Sequence, residues 1–143
     1  MERAEKIVVD ASVAVKWFNL EEYSDIADSM KEAHIRGNIR LVAPSLIVFE
    51  VANALRYNPD LGLSDVKNAV EDMLDLQISL VNPYPTLMER AVELAYKYGV
   101  TVYDSCCVSL AKEIGSIFYT ADERLIRKME QEKEIVKHIS EFK

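Results

Sequence analysis

Short apolar runs alternate with helix-length amphipathic segments along the chain, and that alternation leaves few architectures open. The runs read as strands at residues 7–10, 41–43, 78–81, 117–119 and 135–139. The first, IVVD, is apolar at consecutive positions rather than alternate ones. A strand covered on both faces, as in a parallel sheet, has that pattern. Helical periodicity fills the gaps. Val13, Val15, Trp17 and Phe18 follow a candidate cap at Ser12. Residues 23–34 carry Ile26, Ala27, Met30 and Ala33 on one face, and Gly37 then turns the chain. Ser45 is expected to open a helix to Tyr57, and Ser64 to cap another over residues 65–75. Pro85 suits the first turn of a helix that Gly99 closes. Two more helices are expected at residues 104–114, ended by Gly115, and at 122–129. Strands joined by helices imply an α/β sandwich with a mainly parallel sheet and right-handed crossovers. The length, 143 residues, suits a single domain over residues 1–143.

Composition narrows the function. Half the residues are hydrophobic and 29% are charged, which excludes a disordered chain. There are 17 basic and 24 acidic residues, a net charge of −7, so overall charge opposes nucleic-acid binding. A nuclease stays open, because bound divalent cations invert the local field. No apolar run reaches the length of a membrane span, and the opening MERAEKIVVD lacks an apolar leader, so a cytoplasmic protein is expected. The two cysteines, Cys106 and Cys107, are adjacent; they offer neither a scaffold disulfide nor a four-ligand zinc site. They read as inert helix core.

Ligand sites in open parallel sheets lie beyond the carboxyl ends of the strands. Asp10 ends the first strand there, and Asp122 follows the fourth by two residues. Asp104 stands where YGVTVY enters a helix. Glu50 interrupts the apolar run SLIVFEVANAL, where a charge needs water, a partner or a metal. Each acid also has an ordinary reading: a strand-end cap for Asp10, a helix N-terminus for Asp104 and Asp122, an exposed helix position for Glu50. Together at one sheet edge they would repel, and a hard cation such as Mg2+ or Mn2+ would relieve that repulsion. Phosphodiester hydrolysis fits such chemistry. A Gly-rich dinucleotide turn, a P-loop and a DxD phosphatase motif are all absent.

The same segments resemble the PIN-domain ribonucleases, in particular VapC-type toxins of toxin–antitoxin pairs. IVVDASVAVKWF is similar to the family's first acidic motif. LVAPSLIVFEVANAL resembles its proline–glutamate–asparagine segment, here Pro44, Glu50 and Asn53. TVYDSCCVSLA resembles the third acidic segment, and FYTADERL the last, with Thr120 and Asp122. The resemblance implies a three-layer α/β/α sandwich with strand order 3-2-1-4-5. It implies Asp10, Glu50, Asp104 and Asp122 as catalytic metal ligands for Mg2+ or Mn2+, supported by Ser12, Asn53 and Thr120. It further implies an RNA substrate, a homodimer and a cognate antitoxin protein. A noncatalytic PIN-fold module that binds nucleic acid or protein is the alternative.

Several residues carry two readings. Ser12 and Thr120 are helix caps or orienting hydroxyls. Asn53 shares a helix face with Glu50 and is either its support or a surface contact. Lys16 is a solvated charge, a phosphate contact or the counter-charge of an acid. Trp17 and Phe18 read as core or interface, and His34 and His138 as solvated or locally paired. Tyr23, Ile26 and Met30 are candidate dimer-interface residues.

Overall fold

Val8 and Val9 have no exposure to solvent, the mark of a strand at the centre of a sheet. In the computed structural model, which describes residues 4–143, they belong to β1, Glu5–Val9. Parallel partners flank it: β2, Ile39–Pro44, on one side and the strand Ile117–Thr120 on the other. The remaining strands are β3, Ser79–Val81, beyond β2, and Val136–His138 beyond the Ile117 strand. These last two in chain order are β4 (Ile117–Thr120) and β5 (Val136–His138), so the order is β3-β2-β1-β4-β5, parallel throughout. The order expected from the resemblance is therefore present.

The helices are α1 (Ala11–Ala14, continued by a 3₁₀ turn at Val15–Trp17), α2 (Ser24–Ile35), α3 (Ile47–Arg56), α4 (Leu63–Asp75), α5 (Pro85–Tyr98), α6 (Val102–Ile114) and α7 (Glu123–Lys128). Alternate residues of the central strands divide between two cores, as period-two geometry requires. Ile7, Val9, Leu41 and Ala43 pack with Val13, Met30, Ile47 and Leu55. Val8, Val42 and Phe118 pack with Leu87, Leu94, Val108 and Leu110 on the other face. Helices thus cover both faces, giving the three-layer sandwich. Gly99 and Gly115, both at φ 65°, end α5 and α6 in the left-handed conformation that glycine takes without a Cβ clash.

The structure corrects several helix starts. Ser45 does not cap α3: its N–H donates to the Val81 carbonyl at 2.9 Å, which holds it at the end of the sheet. Ser64 does not cap α4; Gly62 precedes that helix, and the Asp65 carboxylate reaches back to accept its N–H at 2.8 Å. Asp10, not Ser12, caps α1. Met30 has no exposure, so it belongs to the core and offers nothing to a dimer interface. Trp17 is core as expected, its indole N–H donating to the Ala27 carbonyl at 2.9 Å. His34 is buried rather than solvated. Leu41 N–H donates to its Nδ1 at 3.1 Å, which leaves Nε2 to donate to the Leu76 carbonyl at 2.7 Å. His138 is locally paired with Ser140 at 2.7 Å.

Candidate active site

Strand β1 delivers Asp10 to the carboxyl end of the sheet, and β4, its neighbour, delivers Thr120 beside it. The Thr120 hydroxyl donates to Asp10 Oδ2 at 2.6 Å, and Ser12 donates to Oδ1 at 2.5 Å. Both hydroxyls are themselves oriented by backbone: Ala121 N–H donates to Ser12 Oγ at 2.9 Å, and Asp122 N–H to Thr120 Oγ1 at 3.1 Å. The β4–α7 turn therefore grips the start of α1 through one carboxylate. Residues 110 positions apart meet there because the sheet places β1 and β4 side by side.

The other acids stand around this cradle. Glu50 lies in the first turn of α3 and is exposed. Asp104 lies in the first turn of α6, whose cap is Thr101, accepting Asp104 N–H at 3.1 Å. Asp122 caps α7, its Oδ1 accepting from Leu125 N–H at 3.1 Å. Both ordinary helix-terminus readings are thus satisfied geometrically, alongside any further role. Asn53 is exposed one turn beyond Glu50.

Electrostatics tie the acids together. Burial is the main force raising Asp10, to about 6; the Ser12 and Thr120 hydroxyls oppose it, and the charge on Asp104 adds to it. Glu50 is raised by loss of water around its carboxyl and then by Asp10 and Asp104. Asp104 is raised by burial and by Asp122, against the Thr101 hydroxyl. These effects link Asp10, Glu50 and Asp104 to one another, and Asp122 to Asp104 alone.

Two cavities open on either side of the first turn of α6. Asp10 and Glu50 border one of about 290 Å³, whose walls are largely apolar and include Leu46, Phe49, Leu87, Met88, Val102 and Tyr103. Asp104 and Asp122 border the other, about 180 Å³, together with Thr101, Arg124 and Lys128. Among the described residues, no three acidic, histidine or cysteine donors already surround a common point. A hydrated hard cation does not need that: magnesium takes one or two carboxylates directly and keeps several waters. The all-oxygen donor set and the mutual repulsion of the acids fit such an ion.

Lys16 settles on one of its readings, and two other side chains were missed by the sequence expectations. Lys16 is only 8% exposed and pairs with Glu21 at 3.0 Å, so it balances an acid and is neither solvated nor free for phosphate. Cys106 and Cys107 are buried as expected, and burial raises both thiols. Arg124 and Lys128 were not singled out, although their spacing of four after Asp122 is a readable signal for one helix face.

A sequence profile of the PIN domain matches residues 7–131. The chain belongs to the PIN-domain family. Within it, the likeness is to VapC proteins: Ribonuclease VapC3 of Pyrobaculum aerophilum is 34% identical over 128 residues, which span 86% of this chain and 94% of the relative. Solved structures share the fold. PAE2754 from Pyrobaculum aerophilum aligns with a TM-score of 0.67 at 19% identity, over 95% of this chain and 85% of its own. VapC20 of Mycobacterium tuberculosis, a sarcin–ricin loop cleaving toxin, aligns with a TM-score of 0.65 at 16% identity, over 85% of this chain and 93% of its own.

Proposed function

We propose that this protein is a metal-dependent endoribonuclease that hydrolyses RNA phosphodiester bonds and acts as the toxin of a toxin–antitoxin pair. The observation that carries this reading is the Asp10 carboxylate, seated between the Ser12 and Thr120 hydroxyls, bordering one cavity with Glu50 and close enough to Asp104 to feel its charge. The kinship with Ribonuclease VapC3 supports RNA as the substrate.

Asp10, Glu50, Asp104 and Asp122 are the catalytic acids that would hold Mg2+ or Mn2+. When bound, such an ion supplies charge that polarises a phosphoryl oxygen and lowers the pKa of a water molecule. Ser12 and Thr120 fix the Asp10 rotamer and favour its ionised form by donating to both oxygens. Asn53 assists Glu50 from the next turn of α3. The test is chelation followed by add-back. Purified protein stripped of divalent metal should lose RNA cleavage, and Mg2+ or Mn2+ should restore it. Cleavage that persists unchanged after stripping contradicts the mechanism. The dispersed carboxylates favour one other reading, a noncatalytic PIN-fold binding module. Wild-type protein that binds RNA with Mg2+ present but never cuts it selects that alternative.

In this reading the protein works in the cytoplasm as a homodimer. Separately, no helix among the described residues is long and apolar enough to cross a membrane. With Met30 in the core, Tyr23 and Ile26 are the remaining partly exposed interface candidates. A cognate antitoxin protein inhibits the enzyme. Its apolar side chains fill the cavity flanked by Phe49 and Tyr103, which are 72% and 64% exposed, and its Arg or Lys reaches Asp10 and Glu50. Sedimentation across concentrations tests the dimer. Co-purification followed by RNase assay with Mg2+ tests the inhibitor.

A further inference from the structure

We propose that Arg124 and Lys128 form a phosphate-gripping subsite that holds the RNA strand beside the cleavage position, an inference that rests on the ribonuclease reading. A chain with net charge −7 repels a polyanion, so productive binding needs cations placed locally at the acids. The two acid-bordered cavities differ in that respect. Among the described residues, no Lys or Arg lines the apolar cavity beside Asp10 and Glu50. Arg124 and Lys128 both line the polar cavity beside Asp104 and Asp122. Lys16, on the opposite flank of Asp10, is spent on Glu21 at 3.0 Å.

Arg124 has no ion-pair partner among the described residues and is exposed. It stands in the first turn of α7, where a cation opposes the helix dipole, so helix stability does not account for it. Its guanidinium is suited to two-point contact with phosphate oxygens. Lys128 lies four residues on, on the same helix face. It donates to the Gly99 carbonyl at 3.1 Å, which steadies the ammonium at the cavity rim and leaves two donors free. Two cations beside the acids thus continue the strand's path away from the apolar cavity: the acids serve the scissile phosphate, and Arg124 and Lys128 its neighbour.

The experiment compares wild type with Arg124→Gln/Lys128→Gln on a labelled pool of random-sequence oligoribonucleotides with Mg2+. Apparent KM should rise about tenfold with kcat little changed, and the slope of log kcat/KM against log salt should flatten by about 1 to 1.5 for two lost phosphate contacts. Arg124→Lys should recover part of the loss. A control, Lys6→Gln/Arg36→Gln, removes the same charge from the amino end of the sheet and should leave both quantities near wild type. Equal effects from the two double variants overturn the subsite, since net charge alone then explains them. So does an unchanged salt slope in a variant that melts normally. Wild-type protein that cleaves RNA while the double variant matches it sinks the grip and spares the nuclease; wild-type protein that neither binds nor cleaves RNA sinks both.

Discussion

His34 and Asp10 are polar groups set among apolar side chains at opposite ends of the sheet, and they are treated in opposite ways. His34 spends both ring nitrogens on backbone groups, Leu41 N–H and the Leu76 carbonyl, and so stitches β2 to the end of α4. It is 7% exposed, and neither ring nitrogen is left over for chemistry. Asp10 also has both carboxylate oxygens held, by Ser12 and Thr120, yet burial, with a smaller contribution from the charge on Asp104, raises its pKa to about 6. A satisfied neutral group adds to stability at little cost. A carboxylate kept among other carboxylates costs stability and is retained for chemistry.

The sharpest way to break that contrast is Asp10→Asn. RNA cleavage should fall by at least about 1,000-fold, as expected when a metal-binding oxygen is lost, while the fold should hold or gain. The sign follows from linkage. The folded-state pKa, about 6, lies above the ordinary 3.8, so the ionised group opposes folding above pH 6. Wild-type stability should therefore rise as pH falls from about 6 towards 4, by at most roughly 2–3 kcal/mol. Asp10→Asn should remove that rise. Thermal melts at pH 7.5, 6 and 4.5 measure it; a variant that melts well below wild type at pH 7.5 would make Asp10 a structural residue.

His34→Ala should do the reverse. Its loss leaves Leu41 N–H buried without a partner and the part-buried Leu76 carbonyl to find water, and should cost about 1–3 kcal/mol. Metal-dependent cleavage per folded molecule should stay within about twofold, because the histidine lies at the far end of the sheet from the acids. Denaturant titration and an active-fraction assay separate the two quantities. A large loss of specific activity would mean that the amino end of the sheet is coupled to the site.

Thr120→Val probes the cradle itself at a smaller scale. The hydroxyl lowers the Asp10 pKa by donating to Oδ2, so its removal should move the acid limb of the pH–activity profile upward. Cleavage near pH 7 should fall about tenfold, and part of it should return at higher pH. An acid limb that stays in place would assign Thr120 to folding alone.

Much of the fold was legible because strand and helix periodicities differ and the chain switches cleanly between them. Val8 and Val9 read as buried on both faces of a strand and are buried. The strand order was not written in periodicity; it entered with the family resemblance. What escaped were contacts between residues distant in sequence. Nothing local in Thr120 announces a bond to Asp10, or in His34 a carbonyl 42 residues away. The serines at 45 and 64 look like caps by composition, but a sheet-edge carbonyl and the Asp65 side chain outcompete them. Met30 shows the same limit: an apolar helix face does not say whether core or partner covers it. The four acids were legible as residue types at strand and helix ends. Their division between an apolar and a cationic cavity was not, because it depends on where α6 and α7 turn their first residues.

The smallest effect is expected at the thiols, where the same surroundings act on a different group. Cys107 is buried behind the acids, and burial, followed by the charge on Asp10, raises its pKa well above the ordinary value; burial also raises that of Cys106. For a carboxylate, such an environment makes the proton harder to lose near neutrality and so tunes a working group. For a thiol it keeps the proton on at every physiological pH, and the protonated form is a poor nucleophile. Cys106 lines the apolar cavity, so a reagent has a route to it and reactivity, not access alone, is on trial. Iodoacetamide at pH 7.5 should leave RNA cleavage within about twofold over an hour, whereas the same treatment near pH 10 should begin to label Cys106. Mass spectrometry of the alkylated protein reads the site, and the RNase assay reads the consequence. Rapid labelling at pH 7.5 with loss of cleavage would show that the acid neighbourhood leaves a reactive thiolate beside the site, and burial would then not be the force that governs the groups around Asp10.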